Sequence, residues 1–110
     1  MPRPAQRYDI FLPLRYNDGR EIESEKFIQL QDELIEQFNG VTSVKQTNPL
    51  QGIWQYQSQR YTDEIIIVTT LDFGSPQNQS EGFFVGLKEE LKTRFEQLDI
   101  LILAQTVTVI

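Results

Sequence analysis

The sequence predicts a small α+β domain of the ferredoxin-like type, a βαββαβ sandwich with two helices on one face of a mostly antiparallel sheet. Three observations predict it. Apolar residues alternate over Tyr8–Tyr16, they recur at spacings of three and four over Phe27–Phe38 and again over Phe84–Phe95, and the run Ile65-Ile66-Ile67-Val68 is apolar without alternation. Alternation marks a half-buried strand, three-and-four spacing marks a helix, and an unbroken apolar run marks a strand covered on both faces.

The elements follow in order. Tyr8, Ile10, Leu12, Leu14 and Tyr16 share one face of a first strand, with Phe11 and Pro13 on the other. Pro13 donates no hydrogen bond, so it belongs at an edge or at the end of pairing. Asn17-Asp18-Gly19 stops the strand with residues that tolerate positive φ. Ser24 provides a helix start signal, and Phe27, Leu30, Leu34 and Phe38, flanked by Ile28 and Ile35, form one stripe. Gly40 stands where a left-handed cap is wanted. Residues 41–48 read as extended before Pro49. Residues 53–59 and 61–71 then read as a hairpin turning near Ser58–Arg60. Asn78 or Ser80 is a candidate cap for a second helix carrying Phe84, Leu87, Leu91 and Phe95, in which Gly82 and Gly86 would let the helix lie close to the sheet. Residues 99–110 close the chain as a strand, with Leu101 and Leu103 on one side and Ile100 and Ile102 on the other. Residues 1–7 hold two prolines and read as a frayed arm, leaving 8–110 as a single domain.

Composition narrows the chemistry. A chain of 110 residues, 39% hydrophobic and 11% aromatic, builds one core. It has no cysteine and no histidine. Disulfides, thiol nucleophiles, thiolate or imidazole metal sites and histidine acid–base schemes are therefore excluded, and no cofactor or metal is expected. Ten basic residues against sixteen acidic ones give a net charge of −6, which repels phosphate backbones. No apolar run reaches a spanning length and no signal-peptide core stands at the start, so the expectation is a cytoplasmic protein with no membrane or nucleic-acid partner.

Several motifs reduce to structure. Asp72-Phe73-Gly74 matches the metal-binding tripeptide of protein kinases, but neither the glycine-rich loop nor the catalytic-loop pattern accompanies it. Glu21 and Glu23 precede a helix, where negative charge suits the dipole. Asp63 and Glu64 are adjacent on a strand and face opposite ways. Ser43 and Lys45 share a strand face but lack an oxyanion hole.

Two constellations remain. If the first and third strands end side by side near the start of the second, Arg15, Asn17, Asp18, Trp54 and Asp72 gather into a small polar pocket, with Arg15 gripping an anionic group. Strands apolar on both faces, under helices that cover one, leave an open apolar face; Phe11, Ile66, Val68, Leu101 and Leu103 are assigned to it, buried by a second copy in a homodimer. The function expected is a dimeric interaction or small-ligand-binding module without catalysis, or alternatively a small cofactor-free enzyme of the dimeric α+β barrel type.

Phe11–Leu14, Asn17-Asp18-Gly19, Phe38 with Gly40-Val41-Thr42, Gly52-Ile53-Trp54 and Glu64 recur in that order. In this the chain resembles an uncharacterised bacterial family of short proteins, many of them exported lipoproteins, with F-x-G-L, D-G, G-L-T and G-x-W blocks. The resemblance covers most of the chain from Phe11 onward and implies no activity. Pro13 stands in place of the family glycine, and the lipoprotein cysteine is missing.

Overall fold

A computed structural model describes residues 2–38, 44–45, 50–56, 59–74 and 77–110, with side chains over 2–38, 65–74 and 80–110. The chain runs β1 (Arg3–Pro13), α1 (Ser24–Phe38), β2 (Val44–Lys45), β3 (Leu50–Tyr56), β4 (Gln59–Asp72), α2 (Gln77–Arg94) and β5 (Leu101–Val109). The strands form one five-stranded sheet in which every pairing is antiparallel. β1 and β4 are central, β5 pairs with β1, and β2 and β3 lie one after the other along the far edge of β4. The predicted α+β class and antiparallel sheet are present. The edge beside β4 comes in two pieces, on either side of Pro49, and the hairpin closes earlier than expected, at Tyr56 opposite Gln59.

The even-numbered residues of the central strands make the core. Tyr8 stands opposite Thr70, Ile10 opposite Val68, and Leu12 opposite Ile66. All are buried, and all but the polar Thr70 belong to one cluster with Phe27, Leu30, Leu34 and Phe38 of α1 and Phe84, Leu87 and Leu91 of α2. Both predicted helix stripes therefore pack on the same face of the sheet. Tyr8 stacks on Phe84 at 3.8 Å between centroids, and Phe27 meets the edge of Phe95 at 5.2 Å. These pairings add to the area the rings bury.

Three details depart from the sequence reading. Residues 3–7 are not a frayed arm: β1 starts at Arg3, which pairs with Val109. Both strand prolines sit where β1 has one neighbour only. Pro4 pairs with Thr108 beyond the end of β4, and Pro13 pairs with Ile65 ahead of the start of β5, so neither missing N–H interrupts the doubly paired stretch. Ser80 does not cap α2; it lies inside the helix, buried, with its hydroxyl bonded to that of Tyr8. Gly82 and Gly86 face solvent, with nothing within 4 Å of an added Cβ, so they do not serve close packing. Gly40 and most of 41–49 lie outside the described residues.

The turns behave as their residues require. Gly19 takes φ of 93° in the Asn17–Gly19 turn, where Tyr16 N–H donates to Arg20 O (2.8 Å) and Gly19 N–H to Tyr16 O (2.9 Å). The end of α2 is capped by a non-glycine: Glu96 has φ of 53°, and Gln97 N–H reaches back to Lys92 O (2.9 Å). Arg94 joins the helices through a two-pronged bond to Glu33 (2.6 and 3.1 Å), and Lys26 Nζ donates to Arg94 O (2.6 Å).

Candidate functional site

The face opposite the helices is built by the odd-numbered residues of the same strands. Pairing sets them in rows: Ile65 beside Pro13; Ile67, Phe11 and Leu101; Thr69, Asp9 and Leu103; Leu71, Arg7 and Gln105. No described helix or strand covers these rows. Leu101 is 52% exposed and Leu103 47%. Large aliphatic side chains this open, contiguous with half-buried Phe11, Ile65 and Ile67, make a surface that water disfavours.

This result corrects part of the predicted apolar face. Phe11, Leu101 and Leu103 belong to it. Ile66 and Val68 do not: they pair with Leu12 and Ile10 and are buried under the helices. Strand alternation is strict, so the open face takes their neighbours Ile65 and Ile67 instead.

A polar group interrupts the apolar rows at their centre. The Asp9 carboxylate accepts a hydrogen bond from the Thr69 hydroxyl at 2.7 Å and pairs with Arg7 Nε at 3.2 Å, both through Oδ1. Its side chain is 13% exposed although no described helix or strand lies above it. A charge in an apolar setting is held only with such partners. The donors bind one carboxylate oxygen and leave the group on the surface of the central strand, within reach of anything laid across Phe11, Ile67 and Leu103. None of these three polar residues was singled out in the sequence. The available signal was Asp9 itself, a charge inside an apolar strand, opposite in parity to the core set.

The predicted pocket does not assemble. β1 and β4 are antiparallel, so the end of one lies beside the start of the other, not beside its end. Asp72 pairs with Gln6, and roughly 24 Å of strand separates Gln6 from Pro13 at the Arg15 end. Asp72 is buried, and its Oδ1 accepts from Gly74 N–H (3.1 Å) at the strand end. Arg15, Asn17 and Asp18 do share one turn. There Arg15 faces Glu21 (3.8 Å) and Asp18 is bound by Arg20 (2.6 Å). Trp54 stands in register with Tyr61, and its side chain lies outside the described residues.

Electrostatics at that turn are structural. Asp18 is held below its ordinary value by the backbone N–H and guanidinium of Arg20, and Arg20 is raised in turn by Asp18. Glu23 is lowered chiefly by the Tyr16 hydroxyl (2.5 Å), and the bond from Lys26 Nζ to the same hydroxyl raises Lys26. Arg20 also lies over the Tyr16 ring, 4.5 Å from its centroid. Among the described residues there is no cluster of His, Cys, Asp or Glu able to hold a metal ion, and no helix long and apolar enough to cross a membrane.

The fold and the open face together define a class: an α+β domain with one helix-covered sheet face and one bare, mainly apolar face with a polar centre. Solved proteins share the fold. A phage SAM lyase in complex with S-methyl-5'-thioadenosine superposes with a TM-score of 0.68 at 17% identity, over 96% of this chain and 88% of the lyase. The same kind of enzyme in its apo state gives 0.64 at 17% identity, over 98% and 89%. At this identity the likeness establishes the fold alone. No protein-family model matches the chain, and no curated protein matches it.

Proposed function

We propose that the protein is a small-molecule-binding domain that works as a homo-oligomer, its ligand lying against the open sheet face. The observation that carries this reading is the Arg7–Asp9–Thr69 group set among Phe11, Ile67 and Leu103 on an otherwise bare face. Small-molecule sites combine apolar walls with a few fixed polar groups, and that is the composition of this surface. The ligand class is suggested by the structural neighbour, which holds S-methyl-5'-thioadenosine. Such a nucleoside offers a flat ring and a thioether to the apolar residues, and ribose hydroxyls to Asp9, Arg7 and Thr69.

Calorimetric titration with S-methyl-5'-thioadenosine and with S-adenosylmethionine tests the reading. Binding that is lost in Asp9→Asn and Phe11→Ala, with folding retained, supports it. Absence of heat with both compounds rejects this ligand class. A second reading, that the domain is an enzyme, is favoured by the neighbour being a lyase over nearly the same length. Incubation with S-adenosylmethionine and chromatographic search for S-methyl-5'-thioadenosine separates the two: product formation makes it an enzyme, and unchanged compound leaves a binding domain.

A further inference from the structure

Strand β5 is the outermost strand of its side of the sheet. It pairs with β1 along one edge, and no described strand pairs with the other. Soluble proteins protect such edges with charges, proline, bulges or short length. β5 has none of these. Its nine residues, LILAQTVTV, include no charge, no proline and no glycine, and its pairing with β1 runs from Leu101 to Val109 without a bulge. The contrast is with the interior strands, where charge costs most: β1 carries Arg3, Arg7 and Asp9, and β4 carries Arg60, Asp63, Glu64 and Asp72. Much of β5 is also open: Ala104, Thr106 and Thr108 are exposed on the helix side, and on the other side Leu101, Leu103 and Gln105 are exposed while Val107 and Val109 are half-buried.

The sequence of β5 also matches itself when reversed. Set antiparallel about Gln105, the strand places Leu103 against Val107 and Leu101 against Val109 of a second copy on the open side. On the other side it places Ala104 against Thr106 and Ile102 against Thr108. Each pair is apolar with apolar, or aliphatic with a β-branched threonine, and no like charges meet. We infer that β5 joins two copies edge to edge, antiparallel, with the two-fold axis at Gln105. The sheet then continues across the axis, and the open faces of the two copies become one surface. This inference rests on the homo-oligomer reading above and adds the contact that makes it.

The absence of native cysteine gives a direct test. At an antiparallel axis the facing Cα atoms lie about 4.5–5.5 Å apart, inside the span of about 4.4–6.8 Å that a disulfide bridges. Gln105→Cys should therefore cross-link almost completely under mild oxidation, while Thr108→Cys, which faces Ile102 of the second copy, should cross-link little. Gln105→Lys places like charges on the axis and should weaken self-association several-fold in sedimentation, with an unchanged circular dichroism spectrum. An oligomer in which Gln105→Cys cross-links no better than Thr108→Cys overturns the β5 contact and leaves the oligomer reading standing. A wild-type protein that is monomeric by light scattering at about 100 μM, a concentration at which a complex of modest affinity forms, overturns both.

Discussion

The two faces of the sheet are made by the same strands and have opposite fates. On β1, Tyr8, Ile10 and Leu12 are buried beneath two helices, while Arg7, Asp9, Phe11 and Pro13, interleaved with them, stay partly open. The covered face is filled mainly by aromatic and aliphatic side chains, with Thr70, Asp72 and Ser80 as its buried polar residues, and it explains why the chain folds. The open face mixes Phe11, Ile67 and Leu103 with a carboxylate, a guanidinium and a hydroxyl, and a core built for packing would not hold these. Fold and recognition are thus separated by the parity of residue number along one strand.

That separation can be broken most severely at Ile10 and Phe11. Ile10 is fully buried between Val68 and Ile102. Ile10→Ala should cost about 2–5 kcal/mol in chemical denaturation, since it leaves a cavity under both helices. Phe11→Ala, one residue on, removes area already half exposed and should cost no more than about 1–2 kcal/mol. It should nonetheless abolish ligand binding. Equal losses of stability at the two positions would mean that the open face is part of the folding core.

Tyr8→Phe is the next largest expected effect. It keeps the ring stacked on Phe84 and removes the hydroxyl bond to Ser80, and should cost about 1–2 kcal/mol. The result bears on whether the covered face tolerates polar pairs as readily as the open one; a neutral outcome would show that the pair contributes nothing.

How much of this division the sequence reveals follows from its periodicities. The stripes Phe27–Phe38 and Phe84–Phe95 are legible because each helix buries one side only, and the Asn17–Gly19 turn because only a few residues accept its dihedral angles. The two-sided strand Ile65–Val68 is legible as two-sided, but an unbroken apolar run carries no parity, so Ile66 and Val68 go to the wrong face until pairing with β1 fixes them. The proposed pocket fails for a related reason. Its residues lie at the right strand ends only if neighbouring ends coincide, and strand direction is set by connections rather than by local pattern. Asp9 is overlooked because a single charge in an alternating strand resembles a solvent-facing residue. The Glu96 cap is invisible because left-handed geometry at a helix end is usually announced by glycine or asparagine.

Gly86 offers a smaller change, of opposite sign. It is exposed within α2 and an added Cβ meets nothing. Gly86→Ala should stabilise the protein by about 1 kcal/mol through helix propensity alone. It lies far in the sequence from every residue of the open face, so ligand binding should not change. A destabilised Gly86→Ala would show that the outer surface of α2 is itself a contact, and the distinction between one working face and one supporting face would fail.

The gentlest test titrates the rim of the covered face. Asp18, Glu23 and Asp99 are each held below their ordinary values of 3.8, 4.5 and 3.8, by Arg20, by Tyr16 and by Lys88 respectively. A carboxylate lowered in the folded state binds fewer protons there than in the unfolded chain. Its contribution is complete above the unfolded value and is lost as pH falls through the lower folded value. The melting temperature should therefore be flat near neutrality and decline once pH drops below about 4.5, with the decline blunted in Asp18→Asn and Asp99→Asn. These groups are on the surface, so salt should shrink the effect. Lys26 runs the other way: raised by its bond to Tyr16, it contributes fully below 10.5 and loses that contribution as pH climbs beyond. An acid decline unaffected by both asparagine variants would place the sensitive carboxylate elsewhere. Glu23 is then the first to examine, because the Tyr16 hydroxyl and Lys26 hold its carboxylate at the same rim.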